Sequence, residues 1–431
     1  MKSIWNNDIE KREFGSLEKD IKTDVLIIGG GMCGILCAYM LKEAGVDCVL
    51  AEADKICAGI TNGTTAKITY QHGLIYDKII NKYGIEKAQL YYESQKRAFD
   101  NFKKIASQID DDFEMCNSFV YSLNDTKKIE KEVEALNKIG CDAQFTKKTE
   151  LPFSVAGAVK IENQARFHPL KFAHKISGDL NIYENTRIIE LNPHVAITKN
   201  GRIFAKKIVV ATHFPFINKH GGYFLKMYQH RSYVIALKNA DNVKDMYVDE
   251  EMDGLSFRTH NNLLLLGGGS HRTGGKGGNW KELQKFSKKY YPDSTEVGRW
   301  ATQDCMTLDS IPYIGNYSKQ KPDLYVATGF NKWGMTSSMV SAMILTDMIC
   351  GKKSEYADIY SPSRSIFHPQ LAVNLFESAK GLLTPTAPRC PHMGCALKYN
   401  KQEHSWDCPC HGSRFDENGK LINNPAVEDK S

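Results

Sequence analysis

The chain has 431 residues, 42% hydrophobic and 25% charged, the balance of an ordinary globular protein long enough for two or three domains. Lys and Arg number 56 against 50 Asp and Glu, a net +6 with no long basic run, which argues against a nucleic-acid partner. No apolar run approaches the roughly 18 residues of a membrane span, and residues 1–8 lack the apolar core of a secretory signal, so a cytoplasmic protein without a transmembrane segment is expected.

Residues 24–52 run from the apolar strand Asp24-Val25-Leu26-Ile27-Ile28 through a glycine turn into a helix, then into a second strand ending at Glu52. Gly29, Gly31 and Gly34 have the GxGxxG spacing. Such glycines permit a tight turn, close approach of a pyrophosphate, and close packing of helix on strand, with the helix N-terminus facing the phosphates. Glu52 stands where a carboxylate accepts from a ribose 2′-OH and would repel a 2′-phosphate, which disfavours NADP. The glycines alone are a weak signal; the strand, helix and terminal acid around them make it a strong one for a dinucleotide. FAD and NAD share this fingerprint. The next stretch, Ala58-Gly59-Ile60-Thr61-Asn62-Gly63-Thr64-Thr65-Ala66-Lys67, is small and hydroxyl-bearing, which suits a cofactor passing deep into the protein, as FAD does.

Residues 85–109 place Leu90, Ala98, Phe102 and Ile105 near helical spacing, an amphipathic helix against the body. Residues 127–139 predict a second, heavily charged helix with a solvated face. Lys207-Ile208-Val209-Val210-Ala211-Thr212-His213 reads as a strand ending in an Ala-Thr pair. Arg231-Ser232-Tyr233-Val234-Ile235-Ala236-Leu237, Ser256-Phe257-Arg258 and residues 263–266, before Gly267-Gly268-Gly269-Ser270-His271, read as further strands; the glycine-rich 274–278 is a loop. Trp300, Gln303, Asp309 and residues 311–315 lead into Tyr325-Val326-Ala327-Thr328-Gly329-Phe330-Asn331-Lys332-Trp333-Gly334-Met335-Thr336, a strand, a glycine turn and a helix start. Bare N–H groups there suit the electron-rich end of an isoalloxazine.

Residues 352–389 predict a semi-rigid strap, with Pro362, Pro385 and Pro388 around a helix-like stretch at 371–383. Two loops follow, Cys390-Pro391-His392-Met393-Gly394-Cys395 and Cys408-Pro409-Cys410-His411-Gly412-Ser413. Cys-x-His and Cys-x-x-His supply two thiolates and two imidazoles. Zinc takes such a set, and so does a [2Fe–2S] centre in which two His replace two Cys on one iron. A zinc ribbon more often uses Cys-x-x-Cys knuckles and has no need of the extra pair, Cys395 and Cys410. The other eight of the twelve cysteines, Cys33, Cys37 and Cys350 among them, read as reduced thiols, several of them buried.

On these residues the chain resembles the D-amino-acid-oxidase type of FAD-dependent oxidoreductase, the group that includes glycine and sarcosine oxidases, and its C-terminal loops resemble a Rieske [2Fe–2S] site. The likeness covers nearly the whole chain. It implies a mixed α/β (α+β) fold with a Rossmann-like FAD-binding domain at residues 1–80, 155–225 and 300–351. An antiparallel substrate domain is interleaved at 81–154 and 226–299, followed by a linker at 352–384 and a small truncated Rieske β module at 385–431. FAD is expected on Gly29, Gly31, Gly34, Glu52, Thr64, Thr65, Ala211, Thr212, Gly329, Gly334, Met335 and Thr336. In the Rieske likeness Cys390 and Cys408 hold one iron, His392 and His411 the other, and Cys395–Cys410 is a disulfide clip. Rieske domains carry several strands before the first ligand loop; here only residues 382–389 separate it from the helix-like stretch. A module of about 45 residues does not bury a sufficient core, so cluster, clip and docking on the body are expected to hold it.

The resemblance implies an enzyme, a dehydrogenase moving hydride from a small amine or amino acid to flavin N5, with electrons leaving through the cluster to an external acceptor, protein or quinone. Lys67 is the candidate polar group near the flavin ring, because sarcosine-oxidase-like proteins carry a basic residue in this loop. Arg258 is a candidate partner for a substrate carboxylate, although an Arg at a strand end more often bonds backbone or an acidic neighbour. Tyr233, His271, Lys332 and Trp333 are candidate pocket residues, and His72 is a second-neighbour contact or a covalent flavin attachment. Two readings stay open beside this one: an O₂-using flavin amine oxidase with a degenerate cluster module, and a redox adaptor or sensor that turns over no metabolite.

Overall fold

Parallel pairing dominates the first of three sheets among the described residues. Ile21–Ile28 lies between Cys48–Ala51 and Arg202–Val210, with Ile182–Tyr183 and Lys321–Thr328 outside them, all parallel; Tyr313–Ser318 closes one edge antiparallel. Such a sheet is covered on both faces, which is why its strands are continuous apolar runs: Val25, Leu26, Ile27, Ile28, Val209 and Val210 are all buried. Helices Met32–Glu43 and Gly334–Ile349 pack on each other. Each starts just past the C-terminal end of a parallel strand, so both N-termini sit at the carboxyl edge, where open α/β sheets bind ligands. The structure, a computed structural model, describes residues 3–7, 9–109, 112–217, 220–277, 279–385 and 388–430. Gly278 of the predicted glycine loop, Thr386 and Ala387 of the strap, and residues 1, 2, 8 and 431 lie outside the described residues.

The second sheet has nine strands in the order Thr295–Thr307, Met227–Lys238, Leu263–Arg272, Ser256–His260, Met246–Asp249, Glu114–Ser122, Gly157–Arg166 and Lys67–Ile68, with Ala143–Thr146 also on Gly157–Arg166. Its pairs are antiparallel except that of Met246–Asp249 with Glu114–Ser122. Gly157–Arg166, from the 155–225 segment, and Thr295–Thr307, which straddles residue 300, both hydrogen-bond into this sheet. The predicted amphipathic helix is Ile85–Ala106, burying Ala98, Phe102 and Ile105. The charged helix, Thr126–Lys138, buries Ile129, Ala135 and Leu136 on one face. Its Glu132 is buried as well, and its carboxylate accepts from the N–H groups of Tyr76 (2.8 Å) and Asp77 (2.9 Å), capping the helix Tyr76–Tyr83.

Residues 369–383 form one helix, Pro369–Leu383, N-capped by His368 with Pro369 in its first turn. Pro362, Pro385 and Pro388 lie outside it and so leave it intact. The third sheet follows, four strands in sequence order: Lys398–Asn400, Ser405–Asp407, Arg414–Asp416 and Leu421–Asn423. Its buried cluster is Cys390, Cys395, Leu397, Cys408, Cys410, Phe415 and Ala426. Sulfur thus takes the place of much of the apolar packing that a unit this small lacks. Among the described residues no helix is long and apolar enough to cross a membrane.

Candidate functional site: a dinucleotide cavity and two cysteine–histidine loops

The glycine turn has little freedom. Gly29 has φ +110°, and a Cβ there would stand 2.6 Å from the Ala211 carbonyl oxygen; one on Gly34 would stand 1.9 Å from that of Gly29. The first glycine lets the turn pass under Ala211-Thr212, and the third lets the helix approach the turn. Glu52 accepts from the N–H of Gly30 (2.6 Å) and of Asp54 (2.8 Å). Burial pushes its carboxyl up, against these two hydrogen bonds. A carboxylate has about four acceptor positions, so capacity for a ribose hydroxyl remains.

From this turn a cavity of about 1150 Å³ runs to the second sheet, above the usual range for a drug-sized site. Gly29, Gly31, Glu52, Thr64, Thr65, Lys67, Ala211, Thr212, Gly334 and Met335 line it; Gly34, Gly329, Thr336 and Arg258 do not. Gly329 has φ +73° and makes the second turn possible. The Thr336 hydroxyl donates to the Thr69 carbonyl (3.1 Å) and meets His72 Nε2 (3.0 Å). Arg258 is buried behind the cavity, donating through Nη1 to the carbonyls of Thr65 and Ala66, each at 2.7 Å. It therefore holds the Thr64–Lys67 turn, in which Ala66 has φ +53°. Trp5 and Trp300 hold the same turn, donating indole N–H groups to the carbonyls of Thr64 (2.7 Å) and Gly63 (2.9 Å). Lys67 Nζ donates to Thr65 Oγ1 (3.0 Å), and burial, with the Arg258 charge nearby, brings its amine down to about 7.

Tyr233, Lys332, Trp333 and His72 line the cavity; His271 stacks behind Tyr233, ring centroids 5.8 Å apart. Both ring nitrogens of His72 are engaged, Nδ1 with Tyr91 Oη (2.7 Å) and Nε2 with the Thr69 carbonyl (3.0 Å) as well as Thr336. Burial keeps that ring neutral, down to about 3.

The two cysteine loops are built alike. Cys390 N–H donates to the Cys395 carbonyl and Gly394 N–H to that of Cys390; Cys408 N–H donates to Ser413 and Gly412 N–H to Cys408, all at 2.9 Å. Gly394 (φ +75°) and Gly412 (φ +83°) occupy matching positions where a side chain would strain the turn. Cys395 and Cys410 are joined by a disulfide, Cα atoms 6.7 Å apart. The sulfurs of Cys395, Cys408 and Cys410 lie within 4.8 Å of one another, but the disulfide consumes two of them, leaving Cys408 and Cys390 as thiol donors. The Cys408 thiol beside it brings Cys390 down to about 7; burial opposes this, and the N–H groups of His392 and Met393 and the Ser413 hydroxyl reinforce it. Cys408 is correspondingly pushed up. Burial lowers His392 to about 4 and His411 to about 3, so both imidazoles are neutral and able to bind metal. Their rings stand 5.0 Å apart at 80°, and among the described residues neither ring nitrogen of His411 has a hydrogen-bond partner. Two buried thiol sulfurs, the buried His411 and the half-buried His392, both imidazoles neutral, fit a [2Fe–2S] cluster of mixed ligation.

The family model for DAO, FAD dependent oxidoreductase, matches residues 24–348, and that for the Rieske [2Fe-2S] domain matches residues 352–430. The chain belongs to the DAO family of FAD-dependent oxidoreductases and carries a Rieske domain. It is 33% identical to the Rieske 2Fe-2S iron-sulfur protein YhfW of Bacillus subtilis (strain 168), across 99% of this chain and 96% of that protein. It is 24% identical to gamma-glutamylputrescine oxidoreductase of Escherichia coli (strain K12), across 80% of this chain and 87% of that one. Its fold is like that of L-proline dehydrogenase from P. horikoshii, with a TM-score of 0.66 and 18% identity over 80% of this chain and 97% of the other.

The Rieske domain is seated on the flavoprotein by its second loop. Gln229 Nε2 donates to the carbonyls of His411 (2.8 Å) and Asn424 (3.1 Å), and Gln303 Nε2 donates to that of Gly412 (2.8 Å). Asn424 Nδ2 returns to the carbonyls of Thr212 (2.5 Å) and Phe214 (2.7 Å). Glu403 accepts from Arg231, from Tyr233 Oη (3.1 Å) and from Arg414 (2.9 Å). Arg414, Asn423, Asn424 and Ala426 line the same cavity as the glycine turn. Sequence reasoning missed Gln229, Glu403 and Asn424, and named Gln303 only as leading into the second glycine turn. Gln229 and Gln303 left one trace, a polar residue inside an otherwise apolar strand; Glu403 and Asn424, outside the strands, left none.

Proposed function

We propose that the chain is an amine or amino-acid dehydrogenase whose electrons pass from FAD to a cluster held by Cys390, Cys408, His392 and His411, and from there to an external acceptor. The observation that carries this reading is the seat of the second ligand loop: His411 and Gly412 are hydrogen-bonded to Gln229 and Gln303, on the two strands that also bear the cavity-lining Tyr233 and Thr302. When bound, FAD accepts hydride and the cluster carries single electrons. The protein's part is position. Arg258, Trp5 and Trp300 fix the Thr64–Lys67 turn, Lys67 offers a polar group at the cavity wall, and the Gln229–Gln303 pair fixes the buried loop against the body. In the first loop Met393 is exposed beside His392, which gives an acceptor its access.

The test is anaerobic addition of a panel of primary amines and amino acids to the FAD- and cluster-containing protein, read by flavin absorbance and by EPR of the reduced cluster. A substrate that bleaches the flavin should also raise the reduced Rieske signal, and in air a dye acceptor should be reduced with little peroxide. Stoichiometric peroxide with the cluster left oxidised would establish the oxidase reading in its place.

A further inference from the structure

One wall of the cavity is a face of the strand Thr295–Thr307. Alternate residues of a strand share a face, and Trp300, Thr302, Asp304 and Met306 all line the cavity. Trp300 is accounted for by its bond to Gly63 and Met306 by its burial. The two polar members are not. The Thr302 hydroxyl is buried without a hydrogen-bond partner among the described residues. The Asp304 carboxylate likewise forms no hydrogen bond or ion pair there, and Lys332 and Arg231 act on it only through space. Both cations are committed elsewhere, Arg231 to Glu403 and Lys332 to the Met252 carbonyl (2.8 Å) and Ser270 Oγ (2.9 Å). Burial pushes the Asp304 carboxyl up to about 6 against these two charges. A carboxylate set into a cavity wall without a partner is incomplete until a cation arrives.

We propose that Asp304, with Thr302, receives the protonated nitrogen of the substrate, so that the site selects cationic amines over substrates anchored by a carboxylate. This rests on the amine-oxidising reading of the cavity. Two carboxylate oxygens and one hydroxyl match the three N–H donors of a primary ammonium. Trp300 and Met306, on either side along the strand, offer apolar surface to the carbon chain. A substrate carboxylate directed to the same place would meet Asp304 as a like charge.

Binding is measured on the FAD-loaded protein by titration calorimetry and flavin absorbance shift, with n-butylamine, butyrate and glycine as probes. Wild type should bind n-butylamine in preference to butyrate and glycine. Asp304→Asn should weaken n-butylamine at least about 10-fold with FAD content unchanged, and Asp304→Glu should recover part of the loss. Butyrate or glycine binding as tightly as n-butylamine, absence of n-butylamine binding, or unchanged n-butylamine affinity in Asp304→Asn would each overturn the proposal. So would loss of FAD in that variant, which would make Asp304 a cofactor contact. Reduction of the flavin by amino acids but not amines would defeat this inference and leave the dehydrogenase reading standing. Reduction by neither would defeat that reading itself.

Discussion

Glu403→Gln tests the contact between the two redox domains at its ion pair with Arg231. The Glu403 carboxylate takes Arg231 Nε (3.1 Å) and Nη2, Tyr233 Oη and Arg414 Nη2. The side chains of Arg231 and Glu403 are 3% and 9% exposed. Glutamine keeps the shape but drops the charge. Arg414 still has Asp407 at 2.9 Å, while Arg231 has no second ion-pair partner among the described residues. Removing one member of a buried pair costs about 3–5 kcal/mol. The amide keeps one acceptor, so about 3 kcal/mol is expected, a fall in melting temperature of roughly 6–12 °C at the 2–4 °C per kcal/mol typical of chains near 200 residues, less in a longer one. The melt is followed by the visible circular dichroism of the cluster, which reports its domain, and by flavin fluorescence, which reports the other. In a double-mutant cycle with Arg231→Met, the second substitution should cost far less in the Gln background than alone. A loss below about 1 kcal/mol, or additive effects in the cycle, would refute the reasoning, since an exposed pair contributes no more than that. The pH dependence has a definite sign. Burial alone would raise the Glu403 carboxyl, but Arg231 and Arg414 outweigh it and hold it below its ordinary value. A depressed acid stabilises fully above its unfolded value, near about 4.3, and less as pH falls through the folded one. The Gln variant should lack that acid-sensitive component.

Gly394→Ala and Gly412→Ala form a matched pair: both put a side chain at positive φ, about 1–2 kcal/mol of strain, but a Cβ at 412 also meets Gln229 at 2.6 Å whereas one at 394 meets open space. Iron content and cluster absorbance should therefore fall further in Gly412→Ala. Gly34→Ala should abolish FAD retention, read as the flavin-to-protein absorbance ratio, because its Cβ would lie 1.9 Å from the Gly29 carbonyl oxygen. Arg258→Met should leave the Thr65 and Ala66 carbonyls short of a donor, at about 1–3 kcal/mol each, and weaken FAD binding in fluorescence titration without changing which amine is accepted. For Asp309, burial pushes up but Arg364 and Tyr83 bring the carboxyl down to about 2, so its contribution should persist to below pH 4 and disappear between there and about 2, a loss absent from Asp309→Asn.

The sequence was most legible where local chemistry dictates local shape. The glycine turn, the strand–turn–helix at 321–349 and the paired cysteine loops are each short in sequence and specific in geometry, so spacing and the elements around it carried the turns, and the Rieske resemblance carried the loops. Arg258 shows where this stops. Of its two readings, substrate carboxylate or backbone, the structure gives the backbone one, but the carbonyls it serves belong to a turn nearly two hundred positions away in sequence, which no local pattern names. In the strap the helix-like stretch at 371–383 is the helix Pro369–Leu383, which starts two residues earlier because Pro369 is accepted in the first turn, and Pro362, Pro385 and Pro388 lie on either side of it. The docking roles of Gln229 and Gln303, on strands, and of Glu403, in a turn, were not legible because a polar side chain carries no sign of its partner, and these partners are set by how two separately folded sheets meet.

That meeting bears on the small size of the Rieske domain. With cysteines supplying four members of its buried cluster, the domain needs a third support beyond sulfur chemistry. The helix Pro369–Leu383 gives part of it: Ala396 N–H donates to the Gly381 carbonyl (2.9 Å), and a Cβ on Gly381 would stand 2.5 Å from Cys410 Sγ, so the helix end seats directly on the clip. The flavoprotein gives the rest through Gln229, Gln303 and Arg231. Because Asn424 is tied to Thr212 and Phe214, and Thr212 is itself a cavity wall, filling the cavity and seating the domain act on the same backbone. A ligand that binds only the seated form stabilises it by mass action. FAD binding should therefore raise the melting temperature of the cluster domain as well as its own, and Asn424→Ala should uncouple the two transitions; independent melting in wild type would show that the shared wall transmits nothing.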